Sequence, residues 1–449
     1  MSVALVIAMM AGPPMAGAAT VTREWRAKVG TAGVSGTATV QGYTTGSGAA
    51  VLKLARLKVS TLLPVVISKG TCAAVGATVV RLPSVRSSSS GAVARTLGLT
   101  AAQVTAVRKA SSAGKMAFRV GSGSTARCGV FTVIPKAPVV GPTINVGALP
   151  SDVVVTPGGV FVTNWLDDTI SKVDPATNRV LATIPLEISG NAGPEAIAYG
   201  DRALWVAVTG DAGSLLRVDP ATGRTVATIP VGPVAVATSP GAVWVTGHQG
   251  GTVTRIDPVT NSVSATIRLE PGLWGLAYGE GAVWVANPER DTVSRIDAAT
   301  NAVTATISDI DVPVGVAVGA RSVWVTNWGT TGMPWTPGQP GGTVSRIDPL
   351  TNRVTGTIPV GTNPGRIAFG GGYLWVALQG APTLVQVDPA TNAVKARVTT
   401  GPVVVEDDSH NTWRKLGVAA TDSSVWVVQP YPRSSDTVAP PGTLVRVHY

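Results

Sequence analysis

From residue 143 onward the chain consists of short apolar runs set off by clusters of Gly, Pro, Asn, Asp and Thr. Residues 233–267 show the pattern: "PVAVAT", "AVWVTG", "TVTRID" and "SVSATI" follow one another with three or four turn residues between runs. These runs are rich in β-branched and aromatic residues and too short for helices, so each predicts a strand. The first third of the chain reads similarly, with strands predicted at "SGTATVQGY", "AAVLKLARL", "PVVISKG", "GAVARTL", "KMAFRVG" and "CGVFTV". One segment there, residues 100–110, predicts a helix with Thr100 as N-cap.

The strand pattern repeats. "GVFVTN", "ALWVAV", "AVWVTG", "AVWVAN", "SVWVTN", "YLWVAL" and "SVWVVQ" place Phe161, Trp205, Trp244, Trp284, Trp324, Trp375 and Trp426 in one register, spaced 44, 39, 40, 40, 51 and 51 residues apart. A second phrase, "VDPATN" or a close variant, is anchored at Asp174, Asp219, Asp257, Asp297, Asp348 and Asp388, and in the last unit His448 takes that position. Four short strands per unit with a period near 40–45 residues is the signature of a β-propeller blade. The seventh unit ends after its third strand, while an orphan "TINVG" precedes the first unit. Paired together, the two remove two exposed sheet edges and close the ring.

"VWVTNW…TVSRIDPLTNRVTGTIPVGTNP" (residues 323–364) resembles the YVTN-type propeller repeat. The units are also similar to streptogramin (virginiamycin B) lyase-like and NHL-type propellers. These resemblances cover residues 143–449 and imply a fold, because the matched positions are scaffold. The predicted architecture is all-β. A signal peptide (1–18) precedes a basic β-sandwich-like domain with one short helix (20–136), a linker (137–142), and a seven-bladed propeller with strand-exchange closure (143–449).

Within each blade, the Asp of the second phrase accepts backbone bonds across its own turn, and the following Asn or Gly tolerates a left-handed conformation. The strand-borne Trp is read as packing between blades. The basic residue two before the Asp (Lys172, Arg217, Arg255, Arg295, Arg346, Arg446) is read as structural, and Gln386 interrupts the series.

Composition adds a boundary. Hydrophobic residues make up 45% and charged residues 13%, with 52 Gly and 33 Pro, which suits turn-rich β structure. No apolar run reaches the ~18–20 residues that span a bilayer. "MSVALVIAMMAGPPMAGAAT" has an apolar core and an A-x-A-like end without the usual basic start, so export is expected. Cys72 and Cys128 are the two cysteines, and an exported chain would join them in a disulfide. Residues 20–140 carry 16 Lys and Arg against one acid, Glu24, whereas the remainder has 19 against 24. Such asymmetry suggests an anionic envelope surface as partner of the first domain.

Ligand-binding candidates lie where the blades differ, on the face that carries the D-to-A and B-to-C loops. Insertions at residues 327–342, 401–415 and 429–442 bring Trp328, Trp335, Trp413 and Tyr431 there, with Glu406, Asp407, Asp408 and His410. Trp165, Asp167, Asp211, His248 and Glu289 complete the set. Aromatic rings beside carboxylates suit a glycan, a cationic peptide or a small molecule, and ordinary solvated loops are the competing reading. Streptogramin lyases place His at the start of strand A and Glu at the end of strand B. Here the strand-A positions hold Glu195, Val234, Trp274, Val314 and Gly365, and the strand-B ends hold Asn164, Gly247, Asn287 and Asn327. The expected function is therefore an exported, monomeric, non-catalytic binding protein without cofactor or metal. The alternative is a streptogramin-lyase-like carbon–oxygen lyase acting on a small molecule.

Overall fold

The computed structural model describes residues 137–449 except 211–212, 330–340, 380–381, 402–415 and 430–440. Before residue 137 it describes 21–28, 35–43, 48–55, 62–70, 75–86, 93–100, 102–103, 106–107, 116–120, 127–130 and 132–134. The chain divides into two compact units near residue 137, the second being Pro138–His448.

The strands of the first unit form two antiparallel sheets. One has five strands in the order Val93–Leu99, Gly48–Ala55, Ser35–Tyr43, Val21–Lys28, Thr132–Ile134. The other has four, in the order Val75–Arg86, Leu62–Gly70, Met116–Val120, Arg127–Val130. Val21–Lys28 and Val75–Arg86 are strands that the sequence pattern does not predict. "VTREWRAK" carries four charges, and the second contains Gly76 and Pro83, which weaken a strand signal. Residues 102, 103, 106 and 107 are helical. Thr100 Oγ1 accepts from the Gln103 amide (3.2 Å) while Gln103 Oε1 accepts from the Thr100 amide (2.9 Å), a reciprocal capping box. The Cys72–Cys128 disulfide and the signal segment lie outside the described residues and side chains.

The second unit is a seven-bladed β-propeller. Blade one contains Pro150–Thr156, Gly159–Asn164, Thr169–Asp174 and Arg179–Pro185, strands A to D in sheet order. Blades two to six repeat this order. Blade seven takes Val418–Ala420, Ser424–Gln429 and Thr443–His448 from one end of the ring and Val139–Asn145 from the other. In that closing pair Ile144 faces Leu444 and Asn145 faces Thr443. The closing strand begins at Val139, so residues 139–142, expected to be linker, belong to the ladder, with a register shift between Val140 and Thr143.

The core lies between blades. Every strand-B aromatic is 0–1% exposed. They pack on strand B of the next blade: Phe161 with Leu204 and Val206, Trp205 with Val243 and Val245, Trp244 with Val283 and Val285 are three such junctions. Trp284, Trp324 and Trp426 continue the series, the last reaching Val160 and Val162 of blade one. Thus the hydrophobic seam closes the ring along with the ladder. The Thr near the end of strand B in some blades adds a polar stitch, because Thr246 Oγ1 donates to the Trp274 carbonyl (2.9 Å) and Thr326 Oγ1 to that of Gly365 (2.7 Å).

The basic residue of strand C forms a second seam. Arg217, Arg255, Arg295, Arg346 and Arg446 each lie over the Trp ring of their own blade, 4.8–5.6 Å from its centroid. Arg217 then donates to the Pro258 carbonyl and to Asn261 Oδ1, both at 2.8 Å, in the C-to-D turn of the next blade. Arg346 reaches Pro389 and Asn392 likewise, and Arg446 reaches Pro175 and Asn178 across the closure. In blade two Gly223 replaces the turn Asn, and the facing residue is Lys172, which takes only the Pro220 carbonyl (3.1 Å). Gln386 faces blade seven, whose outer strand comes from residues 139–145 and which therefore has no such turn. Arg295 departs from the pattern: it donates to Thr304 of its own blade (3.3 Å), leaving Asn352 Oδ1 buried without a partner.

Candidate functional site

The seven A strands form the innermost ring, each against the A strands of its two neighbours. Counting two residues on from the Pro at or near the start of strand A in blades one, two, three, five and six, one position on this ring holds Asp152, Ala196, Ala235, Gly315 and Arg366. The corresponding residue is Gly275 in blade four and Gly417 in blade seven. Small residues there leave the loop-face end of the axis open. The cavity is lined by Ala235, Trp274, Gly275, Val314, Gly315, Trp328, Gly365, Arg366 and Gln379 and holds about 400 Å³ of atom-free space, part of it open to solvent.

Blades four to six supply its distinctive walls. Trp274 lies two residues before strand A of blade four (Leu276–Gly279) and Trp328 follows strand B of blade five; their rings meet edge to face, with centroids 5.5 Å apart at 75°. Trp328 is 5% exposed. A β-carbon on Gly275 would lie 2.2 Å from the Val314 carbonyl oxygen, so this position must stay bare for two A strands to approach.

Asp152 and Arg366, the two large residues on the small-residue ring, meet across blade seven. Arg366 Nη2 lies 3.5 Å from Asp152 Oδ2. The bare α-carbon of Gly417 makes room, since a β-carbon there would come within 2.5 Å of the Asp152 α-carbon. Asp152 also accepts from the amides of Val153 (3.0 Å) and Ile197 (3.2 Å). Burial pushes the Asp152 carboxyl above the usual carboxylate range, while Arg366 and the two amides pull it back. Arg366 Nε and Nη2 are buried with no hydrogen bond.

The structure assigns the sequence-derived candidates different roles. Asp167 Oδ2 accepts from the Ala148 amide at 2.7 Å and so fastens its loop to the segment entering blade one. Partial burial, with Asp167 alongside, pushes Asp168 upward. The Trp165 ring occupies the space beside the bare Gly193 of blade two. His248 and Glu289, from adjacent blades, come together at 3.6 Å. His248 Nδ1 lies 3.1 Å from the Leu273 carbonyl, which can only accept, so Nδ1 carries the proton and Nε2 faces Glu289. The two form an ion pair only when Nε2 is protonated as well, and with side chains 38% and 50% exposed such a pair adds about 0.2–1 kcal/mol at most. Trp328 is the candidate that lines the axial cavity. Asp211, Trp335, Glu406, Asp407, Asp408, His410, Trp413 and Tyr431 lie outside the described residues. Among the described residues no group of three or more His, Cys, Asp and Glu is placed to hold a metal ion, and no helix is long and apolar enough to cross a membrane.

Arg366, Gln379, Trp274 and the Asp152 pairing were not among the sequence-derived candidates. A signal for the ion pair was present: at a repeat position otherwise held by Ala or Gly, two blades carry opposite charges.

Residues 104–248 match the family model described as a repeat of unknown function, DUF6923. A comparison with curated proteins gives no match. Among solved structures the chain is similar to the Pan2 WD40 domain of Neurospora crassa, with TM-score 0.51 and 11% identity, covering 67% of this chain and 89% of that one. It is similar also to U3-55K, with TM-score 0.52 and 11% identity, covering 70% and 98%. A chain of a mitotic checkpoint complex gives TM-score 0.52 and 11% identity, covering 70% and 91%. At such identity the likeness is one of fold.

Proposed function

We propose that this protein is an exported, non-catalytic binding protein whose propeller holds a small ligand in the axial cavity on its loop face. The observation that supports this reading is the convergence of Trp274, Trp328, Arg366 and Gln379 on one opening, where the inner-strand residues of the neighbouring blades are Ala and Gly. Apolar walls with a few directed polar groups are the usual make-up of a small-molecule site. A glycan or a cationic peptide would instead use the acidic and aromatic side chains that the sequence predicts on the loop face. In the same reading, the basic residues before 137 hold the protein at an anionic envelope surface.

The test is a thermal-shift and calorimetric screen of the full chain against a chemically diverse small-molecule set. A second arm uses Val314→Trp, which places an indole in the cavity. The reading expects compounds that bind the wild type and not the filled variant. Binding that survives Val314→Trp unchanged would move the site elsewhere. Export is checked by fractionating cells that express the full chain. Surface contact is checked by co-sedimentation of the full chain with vesicles containing anionic lipid, at low and moderate salt.

A further inference from the structure

We infer that His248 and Glu289, on the loop face where blades three and four meet, form an open site for a divalent transition metal ion of the zinc type. Neither residue lines the axial cavity, so the two sites stand or fall separately.

The position of one proton sets the chemistry. His248 donates from Nδ1 to the Leu273 carbonyl at 3.1 Å, so in the neutral ring Nε2 is an acceptor. It faces Glu289 Oε1, also an acceptor, at 3.6 Å. A hydrogen bond between charged partners closes to about 2.7–2.9 Å. Two ligands of one zinc-type ion stand farther apart. Bonds of about 2.0–2.1 Å to imidazole and about 2.0–2.2 Å to carboxylate, opened at about 110–120°, separate the two ligand atoms by about 3.3–3.7 Å. His248 and Glu289 have that spacing, and a cation between them relieves the opposition of two lone pairs.

The two side chains come from different blades, yet both are fixed to one loop, residues 269–273. His248 follows strand B of blade three (Ala242–Gly247). Its ring is anchored on Leu273, and its own carbonyl accepts from the Gly272 amide at 3.0 Å. The Glu289 amide donates to Asn287 Oδ1 (3.1 Å) at the end of strand B of blade four (Ala282–Asn287). Asn287, itself buried, then donates from Nδ2 to the carbonyls of Glu270 (3.1 Å) and Pro271 (2.9 Å). Gly272, at φ 97°, leaves the space that the Glu289 side chain fills: a β-carbon there would lie 2.7 Å from Cβ, Cγ and Cδ of Glu289. Metal-binding imidazoles are oriented in this way, by the bond that the other ring nitrogen makes to a carbonyl or carboxylate.

One nitrogen donor and one oxygen donor favour Zn²⁺ over Ca²⁺ or Mg²⁺, which take oxygen ligands. Glu270 is occupied, 3.7 Å from Arg290. Among the described residues no third His, Cys, Asp or Glu joins the pair. Both side chains are partly exposed, so water or an arriving donor completes the shell. Binding is therefore reversible, unlike that of a closed structural zinc.

The experiment strips the full chain of metal with a chelator, removes the chelator, and titrates with Zn²⁺ and separately with Ca²⁺ by calorimetry. The chain has three histidines, His248, His410 and His448. Their carbethoxylation, read by mass spectrometry, reports which one Zn²⁺ covers. Zn²⁺ should bind and protect His248. His248→Gln should abolish that binding, and Glu289→Gln should weaken it by about tenfold or more, the scale on which even an outer-shell partner acts. Melting transitions of both variants are measured first; Glu289→Gln, which keeps the side chain's shape, carries the test should His248→Gln loosen the loop. The assignment is overturned if the wild type binds no Zn²⁺, if His410 or His448 is protected in place of His248, or if Glu289→Gln binds Zn²⁺ as tightly as the wild type. Ca²⁺ binding as tightly as Zn²⁺ overturns it too.

Discussion

Replacing Arg217 by Met should destabilise the propeller far more than replacing Arg295 by Met. The two residues occupy the same repeat position and lie at nearly the same height over their Trp rings, 5.5 and 5.6 Å. Methionine keeps most of the aliphatic contact with the ring and removes the charge, so each variant loses a cation–π contact of about 0.5–1 kcal/mol. Arg217 also loses two hydrogen bonds of 2.8 Å to the neighbouring blade, with a carbonyl and an amide oxygen as acceptors. Bonds from a charged donor contribute about 1.5–3 kcal/mol each, and at this partly buried edge the lower end applies. Arg217→Met should thus cost about 3.5–4 kcal/mol. Arg295 loses only a 3.3 Å bond to an exposed threonine of its own blade, and its buried, unbonded Nε disappears with it, so about 1 kcal/mol or less is expected. The assay is urea unfolding of the full chain followed by Trp fluorescence. With a slope near ~3 kcal/mol/M, the midpoint should fall by about 1.2 M for Arg217→Met and about 0.3 M for Arg295→Met. A cycle with Asn261→Ala should return a coupling of about 1 kcal/mol for Arg217. Equal midpoint shifts for the two arginines, or zero coupling with Asn261, would refute the idea that this position acts between blades.

Three further outcomes are expected. Ile144→Ala, in the closing strand and 5% exposed, should cost about 2–4 kcal/mol in the same assay, whereas a change at the 44%-exposed Val139 should cost little. Gly275→Ala should lower the melting temperature by several degrees, because its β-carbon would meet the Val314 carbonyl oxygen at 2.2 Å and the inner strands would have to part. Amide and hydroxyl bonds hold the turn carboxylates of Asp174, Asp219 and Asp297 below the usual range. Their contribution is therefore present above the unfolded carboxyl pKa and lost as pH falls through the folded values, so acid should destabilise the wild type more than an Asp→Asn variant at these turns, as urea midpoints between pH 5 and 2 would show.

The blades were legible because the repeat writes the same physics seven times. Trp on strand B, the Asp turn and the left-handed Asn each answer a local need, and local needs survive in sequence as a phrase. The orphan strand was legible for the opposite reason, as a piece of the phrase without its unit. The pairing of Arg217 with Asn261 was not, since nothing in one blade says which neighbour its arginine meets. With the ring in hand the exceptions become regular: Lys172 stands where the turn has Gly223, and Gln386 where no turn exists. The axial site was the least visible. Asp152 and Arg366 are more than 200 residues apart, and their meeting depends on the bare Gly417 between blades. They stand out only when the inner-strand position is compared down the column of blades, where every other residue is Ala or Gly.

The closing strand also sets a clock. A ribosome makes Val139–Asn145 about three hundred residues before its partner Thr443–His448, and through that interval the first strand has no ladder to join. At synthesis rates of about 5–20 residues per second, the wait is some tens of seconds. An incomplete propeller of six blades cannot seat Trp426 on Val160 or Arg446 on Pro175, so every junction that spans the gap forms at once and last. Completion of the ring is then a report that translation reached its final strand. A chain interrupted anywhere before it carries two unpaired sheet edges, the surface by which damaged β proteins aggregate and by which a cell can recognise them for disposal.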